Sequence, residues 1–246
     1  MKNRLDKLLF ERGLAPSRER AQALILAGRV LVNQQKIEKP GASVEDDVPL
    51  RVLGEEQRYV SRGGFKLEAA LNRWHIDLTG RRCADIGTST GGFTDCLLQH
   101  GAAGVVAVDT GYGQIAESLR RDPRVTLHER TNARYLKPGD LGSGISFVSM
   151  DVSFISATLV LPGVLAAVRE GGESRVEAVI LVKPQFEAGR EHIGKGGIVS
   201  DPAAHQLAID RVRAAVHDLG AAGSEVAESP IQGAKGNREF LLYSRF

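Results

Sequence analysis

Asp85-Ile86-Gly87-Thr88-Ser89-Thr90-Gly91-Gly92-Phe93-Thr94-Asp95 reads as the end of a strand, a glycine-rich turn and the first turn of a helix. A second apolar run, Gly104-Val105-Val106-Ala107-Val108, ends on Asp109, twenty-two residues beyond Gly87. Glycine at such a turn lets a ligand approach backbone N–H groups at a helix N-terminus, and an acid at the next strand end accepts both hydroxyls of a ribose. Together they form the anatomy of a nucleoside-cofactor site. The dinucleotide fingerprint places its glycines as G-x-G-x-x-G, whereas this turn runs G-x-x-x-G-G, so the spacing argues against NAD and for S-adenosylmethionine. The competing reading is an ordinary tight turn of an α/β sheet, and the rest of the chain has to decide between them.

Outward from the turn, apolar runs alternate with helical stretches. Strands are expected around Cys83 to Ile86, Val105 to Val108, Val125 to Leu127, Ile145 to Met150 and Val176 to Val182, with a final pair near Val226 and Phe240-Leu241-Leu242-Tyr243. Alternation of this kind implies a parallel sheet with right-handed crossovers, and ligands in such sheets bind at the carboxyl ends of the strands. The stretch Pro184 to Ser200, rich in glycine and basic residues, reads as a mobile loop beside the site. Its Arg190, His192 and Lys195 have the chemistry for phosphate contacts, although an exposed basic loop needs no function.

Composition bounds the partners. The 246 residues, 42% hydrophobic and 25% charged, suffice for one large core and a small appended unit. The apolar run Ala178-Val179-Ile180-Leu181-Val182 is far shorter than the ~20 residues of a spanning helix, and the charged N-terminus lacks the apolar core of a signal peptide. A cytoplasmic protein without a membrane anchor is expected. Cys83 and Cys96 form no C-x-x-C and flank the turn, which points to reduced packing residues and no metal site. The six histidines, among them His75, His192 and His205, show no ligand spacing and read as surface or loop groups. Trp74 and Phe65 read as packing residues.

The net charge of +2 is unevenly spread: residues 1–40 carry nine Lys/Arg against four Asp/Glu. A basic front end on a balanced body suggests a polyanion-binding module, with a solvated face as the alternative. Within it, Leu5, Leu8 and Leu9 share a helical stripe ending at Gly13, and Ser17 can cap a second helix whose apolar side is Ala21, Leu24 and Ile25 before Gly28. Strand-like Val30-Leu31-Val32 and Val48-Pro49-Leu50-Arg51-Val52 follow. This order, with Arg4-Leu5-Asp6, Ser17-Arg18, Ala27-Gly28-Arg29-Val30-Leu31-Val32-Asn33 and Asp46-Asp47, resembles the small RNA-binding domain named after ribosomal protein S4. The resemblance implies RNA contacts at Arg4, Arg18, Arg20, Arg29, Asn33 and Lys36. That family commonly places Gly after the Asn, whereas this chain has Asn33-Gln34-Gln35. A domain over 1–58, a linker over 59–64 and a second domain over 65–246 are expected.

Two strand ends on the large sheet carry charge. Asp151 ends Phe147-Val148-Ser149-Met150, and Lys183 ends Val179-Ile180-Leu181-Val182. A structural ion pair between them is the plain alternative to a functional one. Lys66, in the first helix after the linker, and Glu239, entering the last strand, supply a second opposite-charge pair.

The motifs Ser61-Arg62-Gly63-Gly64-Phe65-Lys66, Asp85 through Thr94, Asp151-Val152-Ser153-Phe154-Ile155, Val182-Lys183-Pro184-Gln185-Phe186-Glu187 and Gly236-Asn237-Arg238-Glu239-Phe240 occur in that order. They resemble the TlyA (haemolysin A) family of ribosomal-RNA 2′-O-methyltransferases. The resemblance implies an α/β, Rossmann-like class I methyltransferase domain of the FtsJ type behind the small α+β RNA-binding domain, with ribosomal RNA or ribosomal subunits as partner and a cytidine ribose as target. It maps a Lys-Asp-Lys-Glu tetrad onto Lys66, Asp151, Lys183 and Glu239. S-adenosylmethionine contacts map onto Asp85, Gly87, Thr90, Gly91, Gly92 and Asp109, with Asn132 near the adenine. Lys183 is the expected contact to the ribose hydroxyl, as a neutral base or as a cation facing a developing alkoxide. A non-catalytic RNA-binding or ribosome-assembly factor and a membrane-active haemolysin are the competing functions.

Overall fold

A computed structural model describes residues 2–53, 58–169 and 175–246, and the chain folds as two units, Met1–Arg58 and Tyr59–Phe246. The first unit runs β1 (Lys2–Arg4), α1 (Leu5–Glu11), α2 (Arg18–Leu26), β2 (Val30–Val32), β3 (Gln35–Lys36), β4 (Ser43–Glu45) and β5 (Leu50–Val52). Ser17 caps α2 as expected, its hydroxyl accepting the Arg20 N–H at 3.2 Å, and Gly13 and Gly28 take positive φ just past the two helices. Leu5, Leu9, Ala21, Ile25 and Val30 are fully buried between the helices and the sheet β3-β2-β5. The β2–β3 turn closes without glycine because Asn33 and Gln34 both adopt φ near +50 to +66°.

Asp6 is the polar centre of this unit. Completely buried, it accepts two bonds from the Arg4 guanidinium at 3.0 Å, one from Arg18 at 3.3 Å and one from Gln22 at 2.8 Å. The Arg4 bonds, helped by Gln22 and Arg18 against the cost of burial, hold the Asp6 carboxyl well below the usual carboxylate range. The structure therefore brings Arg4 and Arg18, two of the expected RNA contacts, together on one carboxylate. Lys36 lies 2.9 Å from Glu38, Arg29 is exposed, and Asn33 serves the turn.

The second unit runs α3 (Gly63–Arg73), β6 (Arg82–Ile86), α4 (Gly92–Gln99), β7 (Gly104–Val108), α5 (Glu117–Arg120), β8 (Val125–His128), β9 (Ile145–Met150), α6 (Ala157–Arg169), β10 (Glu177–Val182), α7 (Pro184–Glu187), α8 (Pro202–Asp218), β11 (Gly223–Glu228) and β12 (Phe240–Arg245). Its sheet order is β11-β12-β10-β9-β6-β7-β8, parallel from β10 to β8, with β12 antiparallel to both its neighbours. Successive strand residues divide between two cores. Ala84, Val106, Val148 and Ile180 pack with α6 and α8, while Cys83, Val105, Phe147 and Val179 pack with α3 and α4. Burial on both faces explains why these strands read as unbroken apolar runs. From β6 the chain proceeds outward to β7 and β8, then returns past β6 to β9 and β10. The order therefore reverses between β6 and β9, where a crevice opens beyond the carboxyl ends.

Three expectations need correction. Residues 59–64 are packed chain and not a free linker: Tyr59 is 1% exposed, its ring meets Phe65 edge-on at 5.2 Å, and Gly63 and Gly64 already belong to α3. The stretch 184–200 is tied down, because the Asn237 amide bonds the Val199 N–H at 3.0 Å and the Gly197 carbonyl at 2.9 Å, and Arg211 donates to the Glu187 carbonyl at 2.6 Å. His205 is a buried residue of α8, its Nε2 lying 2.8 Å from the Val199 carbonyl oxygen. Trp74 stacks on Tyr243 at 5.3 Å, and both cysteines are buried thiols, Cys96 with its sulfur 3.6 Å from His100 Nδ1.

Candidate active site

The turn after β6 is shaped by what glycine permits. Gly87 has φ +86°, and a Cβ there would collide with the Asp151 carbonyl oxygen, so the ends of β6 and β9 approach closely only because it has none. Gly91, at φ +96°, opens α4 beneath Leu119 and Ile115. Asp85 lies under the turn and not on the cavity. It is 0% exposed and accepts hydroxyl bonds from Thr94 at 2.7 Å and Ser149 at 3.0 Å, anchoring α4 and β9 to β6. Burial outweighs those bonds, and with the Asp151 charge nearby the Asp85 carboxyl is pushed up to about 7. A carboxyl whose folded pKa is raised favours the fold when protonated, so its contribution falls as pH rises from about 4 to about 7. Asp85→Asn is expected to flatten that part of the stability curve, read by urea melts across the range.

Beyond the turn a cavity of about 370 Å³ is walled by Gly87, Ser89, Asp109, Gly111 and Asn132 on one side and by Asp151 to Ile155 on the other. Asp109 ties two loops together: its oxygens accept the Ser89 N–H at 2.8 Å and the Gly111 N–H at 2.6 Å. Each oxygen retains a second lone pair for a ligand hydroxyl. Asn132 caps a short turn through the Arg134 N–H at 3.1 Å and faces the same cavity. Thr90 and Gly92, by contrast, line the neighbouring cavity, and Gly91 lines neither.

That neighbouring cavity, about 300 Å³, shares Gly87, Ser89, Asp151 and Ser153 with the first and adds Arg62, Lys66 and Lys183. A third, about 460 Å³, continues from Lys66, Ser153 and Lys183 toward Phe154, Phe186 and Glu239. The four charged residues expected as a tetrad thus meet where the cavities join, as two pairs. Lys66 Nζ is 2.5 Å from Glu239 Oε2, and Lys183 Nζ is 2.5 Å from Asp151 Oδ1. Lys66, Lys183 and Glu239 are buried, so each charge depends on its partner.

Three further residues shape the site without having been assigned a role from sequence. Ser153 accepts a bond from Lys183 Nζ at 2.7 Å and borders all three cavities. The buried Glu187 carboxylate accepts from the Ser156 hydroxyl at 2.5 Å and from the Ala157 N–H at 2.7 Å, clamping the loop after β9 to the turn after β10; burial pushes its carboxyl up. Phe154 is 92% exposed at φ +65°, with its ring 5.5 Å from Phe186. Ser153, Phe154 and Glu187 lie inside the quoted motifs, so their chemistry was visible. Their convergence depends on long-range packing.

The family model described as FtsJ-like methyltransferase matches residues 59–246, and the S4 domain model matches residues 3–47. The 16S/23S rRNA (cytidine-2′-O)-methyltransferase TlyA of Mycobacterium tuberculosis is 46% identical over 244 residues, 98% of this chain and 89% of that protein. Hemolysin A of Brachyspira hyodysenteriae is 39% identical over 98% of both chains. Among solved structures, a Streptococcus thermophilus chain assigned as a hemolysin superposes with a TM-score of 0.76 at 43% identity, over 99% of this chain and 88% of that one. An S-adenosylmethionine-dependent methyltransferase from Mesorhizobium loti shares the fold alone, with a TM-score of 0.53 at 16% identity over 72% and 95% of the two chains. A sheet whose order reverses at a glycine turn, two paired charges at its carboxyl edge and these matches lead to one assignment: the chain belongs to the FtsJ-like methyltransferases, in the TlyA and hemolysin A group that carries an S4 domain ahead of the methyltransferase fold.

Proposed function

We propose that this protein transfers a methyl group from S-adenosylmethionine to the 2′-hydroxyl of a cytidine ribose in ribosomal RNA, acting in the cytoplasm on ribosomal subunits. The observation that carries the reading is the place of Lys183. Held by Asp151, it stands where a cavity suited to a nucleoside cofactor opens into a second cavity leading to exposed aromatic surface. The fit to the cofactor rests on the Gly87 close approach and on Asp109, whose free lone pairs suit ribose hydroxyls. When bound, S-adenosylmethionine supplies a methyl carbon already activated by its positively charged sulfur. The protein's task is then to orient the ribose hydroxyl and take its proton.

Asp151 fixes the Lys183 nitrogen, and the Lys66–Glu239 pair presents a donor and an acceptor to the same space. Phe154 and Phe186 offer stacking faces to an unpaired base. Arg4 and Arg18 on the first unit give the phosphate backbone a double cationic contact. A catalytically silent assembly factor would not need two close ion pairs, one of them buried on both sides, at a cofactor cavity. Against a membrane-active reading, no helix among the described residues is long and apolar enough to cross a bilayer.

The test is transfer of tritiated methyl from labelled cofactor to isolated small and large ribosomal subunits, followed by nuclease mapping. Label on a cytidine ribose is expected, and the absence of label on either subunit, with cofactor bound, would overturn the reading. Deleting residues 1–58 should lower RNA affinity and flatten its salt dependence, because each lost phosphate contact removes counterion release. Asp109→Ala should weaken cofactor binding by about 1–3 kcal/mol, measured by calorimetry, since the ribose hydroxyls and the Ser89 and Gly111 amides lose their acceptor.

A further inference from the structure

The hydroxyl of Ser153 accepts a hydrogen bond from the Lys183 nitrogen, and it sits where the three cavities meet. A neutral lysine amine has two N–H bonds and one lone pair in a tetrahedral array. In this site Nζ donates a hydrogen bond to Ser153 Oγ at 2.7 Å, while Asp151 Oδ1 lies 2.5 Å away as an ion-pair contact without hydrogen-bond geometry. The Asp151 charge alone would leave the amine free to rotate about its Cε–Nζ bond, with the lone pair swept away from the reacting oxygen for much of the time. The directed bond to Ser153 stops that rotation.

We propose that Ser153 is a positioning residue for methyl transfer: beside the Asp151 carboxylate, its hydroxyl accepts an N–H bond of the neutral Lys183 amine and so turns the lone pair toward the ribose hydroxyl. The inference rests on the reading of Lys183 given above. In the step it serves, the ribose O–H bond breaks and its proton passes to Lys183 Nζ. The electron pair left on oxygen forms the bond to the methyl carbon, and the methyl sulfonium's sulfur keeps the pair of the bond it gives up. Lys183 ends as an ammonium that still donates to Ser153 beside the Asp151 carboxylate, so no heavy atom has to move.

Of the other charged groups near this nitrogen, Lys66 from α3 and Glu239 leading into β12 satisfy one another at 2.5 Å, while Arg62 and Lys235, which line the adjoining cavities, are cations and offer the amine no acceptor. Among the described residues Ser153 supplies the hydrogen-bond acceptor. Because Ser153 is exposed and carries none of the core, its removal is not expected to unfold the protein.

The experiment compares Ser153→Ala, Ser153→Thr and Lys183→Ala in the full chain. Ser153→Ala is expected to lower the plateau transfer rate by on the order of tenfold to a hundredfold, the effect of losing one hydrogen bond to an amine that becomes an ammonium in the transition state. The loss of an acceptor that favours the ammonium should also move the acid limb of the pH–rate profile to lower pH. Calorimetry should find cofactor affinity unchanged. A readout independent of turnover is acetylation of Lys183 by acetic anhydride in the cofactor-free protein, followed by mass spectrometry: its pH midpoint should fall in Ser153→Ala and return in Ser153→Thr. Ser153→Thr, which keeps the hydroxyl, should recover most of the rate. A wild-type plateau and midpoint in Ser153→Ala, with Lys183→Ala inactive, would overturn the role of Ser153 alone. A fall in rate with an unmoved midpoint and no recovery in Ser153→Thr would also reject it as a merely structural effect. Full activity in Lys183→Ala would instead overturn the reading of the site on which the inference stands.

Discussion

Lys183→Ala is expected to lower methyl transfer by about 10²–10⁴-fold, the range of general acid–base contributions, with cofactor affinity retained. Retention follows from position: Gly87, Asp109 and Asn132 wall the cofactor cavity, and Lys183 does not border it. Lys183→Arg separates the two chemical roles. Arginine keeps the charge but does not deprotonate in a protein, so an active Lys183→Arg enzyme would assign the residue to alkoxide stabilisation and an inactive one to proton removal. Single-turnover rates at saturating cofactor are the measurement, because they exclude product release.

The second large effect is on stability. Lys66→Ala leaves Glu239, 2% exposed, without its cation, and removing one partner of a buried pair costs about 3–5 kcal/mol. For a unit of this size each kcal/mol moves the melting temperature by about 2–4 °C, so a fall of roughly 6–20 °C is expected. Replacing both partners by apolar residues of similar volume, Lys66→Met with Glu239→Leu, should recover most of that loss, since two desolvated charges are then removed together. Transfer activity should stay lost in the double variant. A recovery of both would place the pair in the scaffold and outside the chemistry.

The sequence carried the sheet well because its strands are buried on both faces and read as continuous apolar runs, and because glycine at 87 and 91 announces the turn. It misread Asp85, since an acid at a strand end next to the turn looks the same in one dimension whether it faces the cavity or lies beneath it. Thr94 and Ser149, whose hydroxyls hold Asp85 down, come from a helix and another strand. His205 was misread for the same reason: its helix turns it onto a packed face, and its partner Val199 belongs to what looked like a loose loop. That loop's composition is indeed loop-like, but its restraint comes from Asn237, far along the chain. The four charged residues and their two pairings were legible through the motifs and the opposite charges, whereas the closeness and burial of the pairs were not.

The reversed strand β12 has a consequence for biosynthesis. It lies between β10 and β11, pairing Phe240 with Val182 on one side and with Glu228 on the other, yet it is the last of the seven to leave the ribosome. Until it emerges, β10 presents an open apolar edge and β11 has no neighbour to join, the condition that invites strand addition from another chain. Closing this pairing spans α7, α8 and β11, so it is a slow, long-range event. Glu239, the partner of Lys66, arrives with the same strand. A nascent chain that stops short of Phe240 is therefore expected to aggregate before it can act, and a tolerant test of this is pulse proteolysis of ribosome-bound intermediates stalled on either side of β12.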